Sequence, residues 1–220
     1  MQSRVIDNDI VIRGLRMNYQ AARADHVFKI IDGSASLITR SQKKPVALND
    51  ILQEAATYIQ KQFRLRWVIM GLRSPTDGLC RYVSESGVRQ EVWEWQRDAV
   101  YKKEDFALSK PGWFSAGEIS ALSRVYLEED NPLGDDAARK GVNRPFMMKA
   151  IRKSPDDALE ADFIDTLIMT PDNDLLGWIE YSGTIAGKFP DSLVIRWIEM
   201  VSAILGAAIV THNLRVARAL

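Results

Sequence analysis

The stretch from Leu175 to Ala217 constrains this chain most. It opens with a strand-like run, Leu175 to Tyr181, and continues through a turn-rich link, Ser182 to Pro190. It ends in a long helix that is apolar over far more than one narrow stripe. Leu193, Trp197, Met200, Ile204 and Ala208 recur at helical spacing on one face, and Val194, Ile198, Val201, Leu205 and Ile209 lie on a second face beside it. A helix of this kind needs two partners. One face can cover a sheet, and the small residues Ala203, Gly206 and Ala207 would admit a close helix contact on the other. Gly177, inside the strand, lets a neighbouring group approach closely. Asp191 or Ser192, just after Pro190, can cap the helix.

Upstream, helices come first. His26 to Ser41 carries two adjacent apolar faces, one of Phe28, Ile31, Ala35 and Ile38, the other of Val27, Ile30, Ser34 and Leu37. Asn49 is the expected cap of a helix over Asp50 to Phe63. Arg66 to Arg73 and Leu79 to Ser84 read as a hairpin around Ser74–Gly78. Glu91 to Val100 alternates and predicts a strand or extended edge. A short helix is expected around Phe106, a strand over Ile119 to Leu127, and an exposed basic excursion over Ala137 to Pro155. Asp162 to Met169 and Leu175 to Tyr181 form a hairpin about Pro171–Asp174. Helices, then strands, an irregular middle, two strands and a helix predict an α+β fold with a mainly antiparallel sheet.

Composition sets bounds on function. The chain has 220 residues and balanced charge, 29 basic against 29 acidic. It therefore lacks the basic excess of a nucleic-acid binder. One cysteine, Cys80, can form neither an intrachain disulfide nor a cysteine-based zinc site, and a reducing compartment fits best. The N-terminus lacks the apolar core of a signal peptide, and the run Met200 to Val210 is about half the length that spans a bilayer. A cytoplasmic protein without membrane or nucleic-acid partners is expected.

The closing segment resembles the C-terminal half of GAF domains. The matching residues are Leu175-Leu176-Gly177-Trp178-Ile179, then Gly187, Pro190-Asp191, Ala207-Ala208-Ile209 and Asn213-Leu214. Weaker similarity extends through residues 45–215. The resemblance implies a GAF/PAS-like α+β fold. Its central, mainly antiparallel sheet of five to six strands carries the N- and C-terminal helices on one face and loops or short helices on the other. It divides the chain into an N-terminal helical segment, 1–44, for dimerisation or signalling, and a GAF-like domain, 45–217. It also implies a homodimer paired through the first and last helices, here through Phe28, Ile31, Ile38, Ile198, Val201, Leu205 and Ile209.

The chemistry of the residues favours binding over catalysis. His26 and His212 are the two histidines, and neither has a metal-site spacing. Cys80 reads as a buried, inert thiol, out of keeping with methionine-sulfoxide reduction or bilin attachment. The acidic runs Glu128–Asp130, Asp135-Asp136 and Asp156-Asp157 lack EF-hand spacing and read as solvated loop charge. Phosphate-loop, dinucleotide-binding and hydrolase motifs are absent, as is the cyclic-nucleotide signature of some GAF domains. The expected pocket lies in the aromatic middle, lined by Arg81, Trp93, Trp95, Phe106, Trp113, Arg124 and Tyr126, with Ser123 as a further polar group. The expected function is a non-catalytic sensor or regulatory module in signal transduction, without metal or cofactor. It would take an unidentified small molecule and signal to a partner protein through its helices. The alternative is a structural dimerisation module whose pocket is filled by its own aromatics.

Overall fold

The computed structural model describes residues 26–42, 47–106, 116–131, 140–148 and 150–217, together with Met17 and Gly134. The elements are α1 (His26–Gln42), α2 (Leu48–Gln62), β1 (Val68–Arg73), β2 (Cys80–Ser86), α3 (Gln90–Gln96), β3 (Val100–Tyr101), β4 (Ala116–Glu118), β5 (Ser123–Tyr126), β6 (Phe163–Met169), β7 (Leu175–Ser182) and α4 (Ser192–Ala217), with short 3-10 turns at Lys103–Phe106 and Pro145–Met147. The strands form one sheet in the order β3-β2-β1-β7-β6-β5-β4, every pair antiparallel. The α+β class holds, with seven strands in place of the expected five to six.

The alternation of β6 and β7 builds two different faces. Ile164, Thr166, Ile168, Ile179 and Tyr181 point toward the helices. There they meet Leu52, Ala55, Ala56 and Ile59 of α2 and Ile198, Val201, Leu205 and Ile209 of α4, all buried. α1 adds Ile30 and Leu37. The Tyr58 hydroxyl of α2 donates to the Ile30 carbonyl at 2.8 Å, and its ring lies where a side chain on Gly33 would stand. Gly206 faces the Met169 carbonyl, where a Cβ would sit 2.9 Å away, so α4 lies close against β6. α4 is long and apolar enough by composition to cross a membrane, yet here it forms the core layer of the fold.

On the other face Gly71 of β1 lies under the ring of Trp178 of β7, which would collide with any Cβ there. Gly177 in turn faces the Gly71 carbonyl, so the close approach expected of it is met. The β6–β7 turn places Asn173 at φ 60°, a left-handed position that asparagine tolerates. Asp191 caps α4 by accepting from the Val194 backbone N–H at 2.9 Å.

Several local expectations fail. Glu91 to Val100 is not a strand: α3 occupies most of it, held by Gln90 donating to Glu94 at 2.9 Å. α2 starts at Leu48 with Ala47 as its cap, so Asn49 lies inside the first turn. The strand expected over Ile119 to Leu127 is two short ones, β4 and β5, joined by a turn whose N–H groups Ser120 accepts. The described part of the basic excursion, from residue 140 on, is largely exposed as expected but also anchored: Val142 is buried, and Arg144 and Arg152 are tied to buried acids.

Candidate functional site

A cavity of about 660 Å³ lies on the sheet face opposite the helices. Its floor comes from Trp67, just before β1, and from strand positions that alternation turns away from the helix layer: Ile69 of β1, Tyr82 of β2, Tyr101 of β3, Phe163 of β6 and Glu180 of β7. Its roof comes from α3, which contributes Val92, Glu94 and Trp95, and from the segment 141–143. The two roof pieces are stitched together. The Arg89 N–H donates to Asn143 Oδ1 at 2.8 Å, its guanidinium donates to the Val142 carbonyl at 2.9 Å, and Gln96 reaches the Gly141 carbonyl at 3.3 Å. Gly141 is needed because the Trp95 ring would lie 2.7 Å from a Cβ there.

One carboxylate fastens the roof to the sheet. Glu160 is buried and accepts from the Arg144 N–H and Nε, each at 2.9 Å, and from Arg66 Nη1 at 3.1 Å. Arg66 also donates to the Leu159 carbonyl at 2.7 Å. Burial depresses the Arg66 guanidinium, and the charge of Glu160 opposes that shift. A second clasp lies behind it. Asp162, fully buried, accepts from the Glu128 N–H at 2.8 Å and from Arg152 at 3.0 Å.

A small adjoining recess of about 50 Å³ shares Tyr82, Tyr101, Phe163 and Glu180 with the cavity and reaches Asp165, Phe106, Tyr126 and Trp178. Trp178 packs against Phe106 at 4.7 Å, Tyr82 at 5.2 Å and Tyr101 at 5.9 Å between ring centres. Tyr126 stacks on Phe163 at 4.5 Å.

Two acids stand side by side in this aromatic setting. Asp165 and Glu180 are register partners on β6 and β7 and are 5% and 7% exposed. The Tyr82 hydroxyl donates to Glu180 Oε2 at 2.7 Å. Asp165 Oδ1 accepts no hydrogen bond among the described residues. Burial raises the Glu180 carboxyl, and hydrogen bonds from Tyr82 and Trp178 offset this only in part. Burial also raises Asp165 well above the carboxylate range, reinforced by Glu180 and countered by Arg124 and Tyr126. Like charges directly opposite on neighbouring strands are destabilising, so this pair opposes the fold that holds it.

The expected pocket residues separate into three groups. Trp95 lines the cavity, and Phe106 and Tyr126 line the recess. Arg124 is adjacent and donates to the Phe106 carbonyl. Arg81 is not at the site: it pairs with Asp77 at 2.8 Å beside the β1–β2 turn. Trp93 is half-buried on α3 and does not line the cavity. Ser123 faces the helices, bonded to Thr166 at 2.9 Å and to Glu199 at 2.8 Å. Trp113 lies outside the described residues. The floor residues Trp67, Tyr82, Tyr101, Phe163, Asp165 and Glu180 went unnamed in the sequence reading. Strand alternation in β6 and β7 was the signal that could have found the last three.

The expected interface residues divide as well. Ile31 and Ile38 are exposed on α1, whereas Ile198, Val201, Leu205 and Ile209 are buried in the chain's own core. The second apolar stripe of α4 thus covers the sheet, and the residues it leaves outward include Leu193, Ala203, Ala207 and Leu214. Nothing is described of the Phe28 side chain. Cys80 is buried, and burial pushes its thiol up to about 11, away from the reactive thiolate. No cluster of metal-ligating side chains occurs among the described residues.

No protein-family model and no curated protein sequence matches the chain. Solved structures do. The GAF domain from a phosphoenolpyruvate-protein phosphotransferase of Coxiella burnetii superposes with a TM-score of 0.54 at 12% identity, covering 86% of this chain and 98% of that one. The GAF domain of the Acinetobacter phosphoenolpyruvate-protein phosphotransferase gives 0.52 at 10% identity, covering 84% and 94%. The phycoerythrobilin-bound GAF domain of a cyanobacterial phytochrome gives 0.50 at 12% identity, covering 87% and 97%. With its antiparallel sheet, a helix layer on one side and a roofed cavity on the other, this chain has the fold of GAF domains.

Proposed function

We propose that this chain is a non-catalytic sensor or regulatory module that holds a small molecule between the sheet and its roof. The observation that carries the reading is the cavity itself, about 660 Å³ of space of the size that small-molecule sites have. Its walls are mostly aromatic and aliphatic, with a few polar groups among them. The cyanobacterial domain of similar fold is bound to phycoerythrobilin, so the fold can hold a ligand. Covalent bilin attachment is not part of the proposal, because the Cys80 thiol is buried in β2.

In this reading occupancy is passed to the helix layer, and two copies pair through the outward faces of α1 and α4. Val27, Ile31 and Ile38 of α1 and Leu193 and Leu214 of α4 are the exposed apolar side chains available for that pairing. A ligand shifts the pairing only by the difference in its affinity for the two arrangements.

The test is native purification followed by mass spectrometry of released small molecules, with a thermal-shift screen of metabolites on the wild type and on Ala99→Trp, which places an indole in the cavity. Compounds that raise the melting temperature of the wild type but not of the variant support the reading. A screen in which no compound class stabilises the wild type favours a dimerisation module that uses its cavity for nothing.

A further inference from the structure

The cavity has a sign. Its charged lining residues are Glu94, Asp98, Glu160 and Glu180, with Asp165 in the adjoining recess, and no lysine, arginine or histidine lines either space among the described residues. Glu160 is neutralised from outside by Arg66 and Arg144. Glu94 and Asp98 are solvent-exposed on the roof side. At the floor Glu180 and Asp165 make no ion pair among the described residues, and the cation nearest in register is Arg124, opposite Asp165 on β5. Arg124, the cation bearing on Asp165, donates to the Phe106 carbonyl.

When both are ionised, an acidic pair buried at the bottom of an aromatic cavity costs the fold stability, because each carboxylate is desolvated and repels the other. Asp165 Oδ1 is left without a hydrogen bond although the residue is 5% exposed, so a donor is missing from the site. A protonated nitrogen would supply the donor and the opposite charge together. Tyr82, Tyr101 and Phe163 line the same recess, and aromatic rings near a charged nitrogen add to its binding. A bare metal ion is a poor fit, since no group of three ligating side chains occurs among the described residues. Trp67, Val92 and Trp95 line the larger cavity and offer apolar and aromatic contact to a ring system.

We propose that the ligand of this cavity is a small organic cation, a flat apolar ring system bearing a protonated amine or amidine, with its nitrogen held between Glu180 and Asp165. The proposal rests on the cavity being a ligand site and adds the charge class.

A matched series with one ring and three charges tests it. Tryptamine (cation), tryptophol (neutral) and indole-3-acetate (anion) are titrated into the full chain by calorimetry at pH 7.5, into the wild type and into Glu180→Gln and Asp165→Asn. The expected result is that tryptamine binds the wild type at least about tenfold more tightly than tryptophol, with indole-3-acetate weakest, and that either variant removes most of that preference. Thermal melts establish that the variants fold, and two separate isosteric changes keep the test open if one does not. Tryptophol or indole-3-acetate binding as tightly as tryptamine overturns the charge assignment and leaves the cavity reading standing. A preference for tryptamine that persists in both variants places the cation elsewhere and overturns the assignment to these acids. No binding by any of the three, with no stabilising compound in the wider screen, overturns both readings.

Discussion

The two faces of the sheet are built from the same strands and obey different rules. The helix side is mainly apolar, and several of its polar groups are paired with one another. Thr166 bonds Ser123 at 2.9 Å and Tyr181 at 3.2 Å, and Ser123 in turn reaches Glu199. The cavity side combines open space, aromatic rings and two buried acids set side by side, one with an orphaned oxygen. The helix face buries the larger apolar core and stabilises the domain, with Ser84 Oγ and Trp197 Nε1 as its unpaired polar atoms among the described residues. The other leaves groups unsatisfied, which is the arrangement expected where a site is set up for something not part of the chain.

The largest expected effect lies on the stabilising face. Leu205→Ala removes a fully buried side chain between α4 and the sheet and should cost about 3–4 kcal/mol in a urea titration. A loss under about 1 kcal/mol would mean that the helix layer is not the core. Next comes the roof clasp. Glu160→Ala leaves Arg66 buried without its acid and should cost about 3 kcal/mol. Amide exchange at residues 141–144 should rise more than exchange in β6 and β7. Uniform acceleration across the chain would show that roof and sheet are one cooperative unit.

On the cavity floor the sign reverses. Glu180→Gln should stabilise the protein at pH 7 by about 1–2 kcal/mol, because it removes a desolvated, repelled charge. The pH dependence follows from the raised carboxyls of Glu180 and Asp165. Below the ordinary carboxylate range of about 4 both folded and unfolded chains are protonated, and the pair does not penalise folding. As pH rises from that range toward the raised folded values, the unfolded chain ionises first and stability is lost, and above the folded values the loss levels off. The gap in melting temperature between Glu180→Gln and wild type should therefore be near zero at low pH and widen toward neutrality. A gap that narrows instead would place a cation beside the pair. The groups that face these acids are Tyr82, Tyr101, Tyr126, Arg124 and each other. The smallest effect on stability belongs outside the core. Ile38→Lys should change unfolding by less than about 0.5 kcal/mol while lowering the mass seen by light scattering from dimer to monomer. An unchanged mass would remove α1 from the pairing surface.

The closing strand and helix were legible because their signals are redundant. An eight-residue strand and a 26-residue helix repeat their pattern often enough to be read. α1 was legible as a helix, and the second of its two stripes is the one that carries the buried Ile30, Ser34 and Leu37. α3 was not, because this seven-residue helix buries Val92 alone and therefore has no helical period to detect. The site was half legible. Aromatic density pointed to Trp95, Phe106 and Tyr126, but the floor is assembled from five strands that are distant in sequence. Asp165 sits in plain alternation within β6, yet only its pairing with Glu180 shows that the two acids share a face. Arg81 looked like a pocket cation because β2 was known and its turn partner, Asp77, was not.

Asp165 and Thr166 are consecutive residues of β6. The first turns its carboxyl to the cavity recess, and the second bonds the serine that bonds Glu199 of α4. Between whatever occupies the cavity and the helix that faces outward there is thus a partition one residue thick. In the proposed sensor this partition makes a long relay unnecessary.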